Sequence, residues 1–224
     1  LPDREVVYAL AQDHVAEKLL FAGTEFGLYV TIDEGAHWVR LQGKFPTIQV
    51  RDLDIQRREN DLAVASFGRG FYILDDYTPL RSISEQALAG NALLFPVRDA
   101  KLYIEMTDRK DSRGDAFYTA PNPPYGALVT YYLRDGVETL RELRIDAEKE
   151  AGEAKREPPL PSMAELRAED EQVEPQVLLV VRDAAGEVVR RVVADRKKGL
   201  HRASWDLRYP AETPVDLTPP KEFA

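Results

Sequence analysis

VYALAQDHVAEKLLFAGTEFGLYVTID, residues 7–33, and VRDLDIQRRENDLAVASFGRGFYILDD, residues 50–76, decide the fold. Set 43 positions apart, they align without a gap. Val7 meets Val50, Leu10 meets Leu53, Leu19 meets Leu62, Ala22 meets Ala65, Gly27 meets Gly70, Tyr29 meets Tyr72 and Asp33 meets Asp76. Each copy holds short runs rich in Val, Ile, Leu, Tyr and Phe, separated by Gly or charged residues, which is the pattern of strands and turns. A period of roughly 40–50 residues with about four strands fits a β-propeller blade. A pair of blades cannot close a ring, because each repeat buries its faces only against neighbours. Residues 1–77 are therefore expected to be terminal blades of a longer propeller, and the remaining blades are the first partner the sequence implies.

The pattern changes after Asp76. YTPLRSISEQALAG combines a Pro, a helix-compatible piece and a closing Gly, so residues 78–90 read as a linker. Residues 91–224 read as a second β-rich domain. NALLFP and KLYIEM open it, and a turn-rich stretch follows from Asp108 to Tyr125. GALVTYYLR is a strong strand by its β-branched and aromatic content. QVLLVVRD and EVVRRVVAD are strands joined at Ala184-Ala185-Gly186, and GLHRASWDLRYP is a further strand whose Trp205, Leu207 and Tyr209 alternate onto one face. ETLRELRID fits either a strand or a helix. Short strands spaced by turns suggest an immunoglobulin-like or fibronectin-type β-sandwich. Residues 147–174 interrupt it with an acidic, Pro-containing insertion, expected to be helical or disordered, where Ser162 and Glu165 form a capping box. The fold class is all-β.

Composition narrows the function classes. Of 224 residues, 39 are acidic and 30 are Lys or Arg, for a net charge of −9. That balance argues against nucleic-acid binding, which needs a basic face. Cysteine is absent, so there is no disulfide framework, thiolate metal site or cysteine nucleophile. No apolar run is long enough to span a bilayer as a helix. His14, His37 and His201 lie in separate elements without metal-ligand spacing, and no cofactor or metal is expected.

The clearest motif is Thr31-Ile32-Asp33-Glu34-Gly35-Ala36-His37-Trp38, which fits Ser/Thr-x-Asp-x-Gly-x-x-Trp. Its carboxylate can accept bonds from turn amides, Gly35 supplies a permissive backbone and Trp38 packs between sheets. Thr31, Asp33, Gly35 and Trp38 are accordingly structural, and no residue of the chain is assigned as catalytic. Phe67-Gly68-Arg69-Gly70 is a hairpin turn needing positive φ, and it lacks the Lys-Ser/Thr of a phosphate loop. Glu25 and Arg69, in equivalent loops of the copies, are the residues expected to face a ligand. Asp75 and Asp76 are neighbours on opposite strand faces, so they serve a turn or cap rather than acid/base chemistry. Prolines 123 and 124 set an extended approach to the strand that follows, and Gly126 permits close passage of the chain. Arg190, Arg191, Arg196, Lys197 and Lys198 form a basic edge.

The unit FAGTEFGLYVTIDEGAHWVRL, followed by VRDLDIQRRENDLAVASFGRGFYILDD, resembles the final repeats of bacterial BNR/Asp-box propellers of the sortilin-like group, often labelled glycosyl hydrolases. LFPVRDA, NPPYGALVTYYL, RDAAGEVVRR and GLHRASWDLRYP look like the β-sandwich after the propeller in that group, and the last hairpin and WDLR strand are similar to the Ig-like module of flagellar hook-assembly proteins. The resemblance implies an exported protein, periplasmic or at the cell surface. It implies a non-catalytic binding or scaffold role through protein or polymeric-glycan contacts. The alternatives are structural closure of a glycoside hydrolase whose catalytic residues lie on other blades, and an accessory subunit of a surface or membrane-associated complex. No sialidase or xyloglucanase catalytic residue maps onto this chain.

Overall fold

The computed structural model describes residues 1, 4–43, 45–104, 122–158 and 160–210. Most of the turn-rich stretch expected from Asp108 to Tyr125 lies outside the described residues, as does 211–224. The described chain is mainly antiparallel β-structure with few helices. It divides into two compact units, the first covering Leu1–Pro96 with Asn122 and Pro123, and the second built from the remaining chain.

The first unit contains the repeat. Strands β1 (Val7–Gln12), β2 (Leu20–Thr24), β3 (Leu28–Thr31) and β4 (Val39–Arg40) form a sheet in sequence order, and β5 (Val50–Gln56), β6 (Asp61–Ser66) and β7 (Phe71–Leu74) form another. The copies match in detail. A register shift falls between Val7 and Ala9 in β1 and between Val50 and Asp52 in β5. Backbone N–H groups of Thr24 and Ser66 donate to Gly27 and Gly70, and the hydroxyls of Thr24 and Ser66 donate to the same carbonyls. The Glu25 amide donates to Val6 O and the Phe67 amide to Gln49 O. Equal bulges and equal hairpin bonds at equivalent places are the mark of one module used twice.

The ungapped alignment needs one correction. It matched Ala22 with Ala65, but Ala22 pairs with Leu10 and Val64 pairs with Leu53. Val64 is thus the counterpart of Ala22, and Leu62 that of Leu20 rather than Leu19. The β2–β3 hairpin turns on Glu25 and Phe26, whereas β6–β7 turns on Phe67, Gly68 and Arg69, with Gly68 at φ 78° and Gly70 at φ 73°. The extra loop residue is offset by a shorter turn before β6, and register follows turn length.

The two sheets pack face to face. Phe21, Leu28 and Val30 on the first meet Leu62 and Val64 on the second, with Leu53, Ile55, Tyr72 and Leu74 packed at the margin. Burying each such side chain stabilises by about 1.5–3 kcal/mol. Gly23 sets the spacing, since a Cβ there would stand 2.5 Å from Val50 Cγ1. Residues 78–90 are more ordered than a bare connector. A 3-10 turn over Thr78–Ser82 and a short helix α1 (Glu85–Leu88), capped by Ser84, follow Tyr77, which is 1% exposed; strand β8 (Ala92–Leu94) ends the unit. Asp76 Oδ1 accepts bonds from the Thr78 amide and hydroxyl, which is the turn role expected of it.

In the second unit, β9 (Ala127–Leu133) pairs antiparallel with β12 (Gly199–Trp205), and β10 (Val177–Arg182) pairs with β11 (Val188–Ala194). ETLRELRID resolves as helix: α2 (Leu140–Glu153) starts at a capping box between Thr139 and Glu142. The expected capping box at Ser162 and Glu165 starts α3 (Met163–Glu171). The insertion is therefore a helix pair, joined by Arg144, whose guanidinium donates to both carboxylate oxygens of Glu169 at 2.7 and 3.0 Å. Of the basic edge, Arg196 is engaged by Glu142, and that bond holds the Glu142 carboxyl down to about 2. Expectations fail at the described part of KLYIEM and at Tyr209. Lys101–Ile104 carry no strand, and Leu102 and Ile104 are 81% and 90% exposed; the rest of that segment lies outside the described residues. β12 ends at Trp205, Leu207 takes φ 62° and breaks the alternation, and Tyr209 is 72% exposed.

Candidate functional site

The hairpin ends of the first unit gather its exposed aromatic and cationic side chains. The guanidinium of Arg51, at the start of β5, lies 4.5 Å from the Tyr8 ring centroid and 5.5 Å from that of Phe67. Tyr8 belongs to the first repeat and Phe67 to the second, so stacking of the sheets creates the sandwich. Such cation–π contacts contribute about 0.5–1 kcal/mol each at exposed sites. Phe26 and Phe67 are exposed at the tips of the two hairpins. Arg40 fastens the first hairpin by donating to Phe26 O at 2.7 Å and to Thr47 Oγ1 at 2.8 Å. Behind it, Glu5 accepts bonds from Thr24 Oγ1 at 2.6 Å and Tyr29 Oη at 2.8 Å. Burial, with the Glu5 carboxylate second, pushes the Tyr29 phenol up.

Glu25 and Arg69 both lie in these hairpins, Glu25 partly exposed and Arg69 fully so. The bond pattern makes Phe67 the counterpart of Glu25, where the ungapped alignment sets Gly68. Tyr8, Arg51 and Phe67 escaped the sequence reading. Their only local signal was aromatic and basic residues near two strand starts that a period aligns.

Thr31–Trp38 forms a hydrogen-bonded turn. Asp33 Oδ1 accepts bonds from Thr31 Oγ1 at 2.6 Å and the His37 amide at 2.9 Å, and Thr31 Oγ1 accepts the Gly35 amide at 3.0 Å. The His37 amide, then the Thr31 hydroxyl and the His37 ring, hold the Asp33 carboxyl well below the usual carboxylate range. Gly35 sits at φ 96°, and the half-buried Trp38 ring packs over it. Every polar atom of the Asp33 carboxylate is engaged within the turn, which is a structural use of the motif.

A buried polar cluster that sequence reasoning missed locks the unit together. The Asp13 side chain is fully buried. It accepts Tyr77 Oη at 2.6 Å, Arg81 Nε at 2.8 Å and Arg81 Nη2 at 2.7 Å, and its Oδ2 also accepts the Ala16 amide at 2.7 Å. Arg81 Nη2 reaches on to Asn60 Oδ1 at 2.7 Å. One ion pair thus joins the β1–β2 loop, the β5–β6 turn and the 3-10 turn after the repeat. Burial raises the Asp13 carboxyl, but Arg81, Tyr77 and the Ala16 amide outweigh it and hold the group well below the carboxylate range. Burial first, and the Asp13 bond next, push the Tyr77 phenol far up. This cluster is closed to ligands.

No family model, curated protein or solved structure matches the chain. Among the described residues, no three His, Cys, Asp or Glu side chains are grouped to hold a metal ion, and no helix is long and apolar enough to cross a membrane. His14 meets Asp13, His37 meets Asp33, and His201 stacks on Tyr131, so each histidine serves its own element.

Proposed function

We propose that the chain is part of an exported β-propeller protein with an Ig-like sandwich behind it, and that its first unit is a non-catalytic module for binding a protein or polymeric glycan. The observation that carries the reading is the Tyr8–Arg51–Phe67 stack, an exposed aromatic and cationic surface built jointly by adjacent repeats. Aromatic rings and Arg are the residue types that dominate binding surfaces.

The stacking of further repeats has its own support. Phe71 and Ile73 on β7 are 79% and 55% exposed, yet their counterparts on β3, Leu28 and Val30, are 3% and 7% exposed beneath the second sheet. The outer face of β5–β6–β7 therefore repeats the face of the first sheet that the second sheet covers. The resemblance to Asp-box propellers is what supports an exported protein, at the periplasm or cell surface.

A screen tests the reading. The chain is run through gels containing polymeric glycans and over immobilised exported proteins, and each glycan is assayed for released reducing ends. Retention without release, lost in a Tyr8→Ser/Phe67→Ser variant, is the expected result. Reducing-end release by the chain contradicts it.

A further inference from the structure

We infer that the hairpin-end surface recognises an acidic segment of a partner protein, with Arg51 clasping a carboxylate; this rests on the binding-module reading. Beyond its two ring contacts, the Arg51 guanidinium has neither an ion pair nor a hydrogen bond among the described residues. The rings hold the planar group in place while its N–H edge stays open. A guanidinium fixed in this way loses little freedom when it meets a carboxylate in a paired, fork-like contact. Arg69, exposed in the hairpin of Phe67, adds a second cation without an ion partner among the described residues.

The surroundings select the partner class. Phe67 in the stack is 62% exposed, and Val6, whose carbonyl holds the Glu25 amide, and Phe26 at the first hairpin tip are 51% and 47% exposed. Two polar groups at this end are already engaged, Glu5 by Thr24 and Tyr29 and Arg40 by Phe26 O and Thr47. A glycan needs many free donors and acceptors for its hydroxyls. This surface instead offers apolar side chains around open guanidiniums, which suits carboxylates set among Leu or Phe on a protein segment. Within a chain of net charge −9, Arg51 and Arg69 are cations without an ion partner among the described residues, and a carboxylate is the group that would complement them.

Calorimetric titration of the 224-residue chain with synthetic peptides alternating Glu with Leu or Phe, with their Gln counterparts and with polygalacturonate tests the inference. The Glu peptides should bind, and added salt should weaken them. The Gln counterparts should bind about tenfold more weakly, and Arg51→Gln should cost a similar factor. Arg51→Lys, which keeps the charge and loses the planar fork, should weaken binding severalfold. Equal binding of Glu and Gln peptides overturns carboxylate recognition while leaving a binding module. Arg51-dependent binding of polygalacturonate without peptide binding overturns the partner class. Failure of every probe overturns the inference, and the glycan and protein screen then decides the binding-module reading on its own.

Discussion

Arg81→Met should destabilise the protein by about 3–5 kcal/mol at pH 7, because it strands a fully buried carboxylate. Asp13 keeps its Tyr77 and Ala16 bonds in that variant but loses both guanidinium donors, at 2.7 and 2.8 Å. Asp13→Leu leaves Arg81 without its partner and should cost a similar amount. The Asp13→Leu/Arg81→Met double variant should be less destabilised than the two single costs summed, since it removes charge on both sides. Urea unfolding at pH 7 reads all three. The pH dependence follows from the depressed carboxyl. Its stabilisation is fully present above the unfolded carboxylate value, about 3.9. Stability should fall as pH drops below that value toward the folded one, and Arg81→Met should flatten the fall. A wild-type chain with unchanged stability between pH 5 and about 2.5, where an unfolded carboxylate would take up its proton, would contradict the buried pair.

Gly126→Ala should cost on the order of 3 kcal/mol and loosen the β9–β12 ladder at its Ala127–Trp205 end. Two separate penalties meet at this position. Gly126 holds φ +105°, which an L side chain rarely adopts, and a Cβ there would run into the backbone carbonyl of Trp205. The obstacle is main chain, so no rotamer change relieves it. Gly199 separates the terms. It holds φ +120° with nothing within 4 Å of a built Cβ, so Gly199→Ala should show the conformational penalty alone, about 1–2 kcal/mol. Thermal melts of both variants compare the costs. Equal, small losses would show that the Trp205 carbonyl is not the obstacle.

The hydrophobic period made the repeat legible, and the residue types of the Thr31–Trp38 motif made its turn legible. Both signals are local. What failed was whatever depended on distant parts of the chain. The gapless match of Ala22 with Ala65 erred by one residue because loop lengths on either side of β6 set its register. Asp13 and Arg81 meet across 68 positions of sequence, and nothing near either residue announces the other. Arg51 joined Tyr8 only after the sheets were stacked. The helix over ETLRELRID was decidable: Thr139 and Glu142 repeat the capping pattern read at Ser162 and Glu165. Lys101–Ile104 had the composition of a strand, and composition alone does not pair one.

The stacking of one repeat upon the other supports both the core and the candidate binding surface, and Gly23 lies against Val50 within it, too close to admit a Cβ. A methyl-labelled nuclear Overhauser experiment on the chain measures that contact directly. Strong cross-peaks between the Gly23 α-protons and a Val50 methyl, with Val50 amide exchange slowed as for a residue at 0% exposure, are the expected result. A Val50 methyl without any cross-peak to Gly23, in a chain whose β1–β2 and β5–β6 ladders are both formed, would contradict the account.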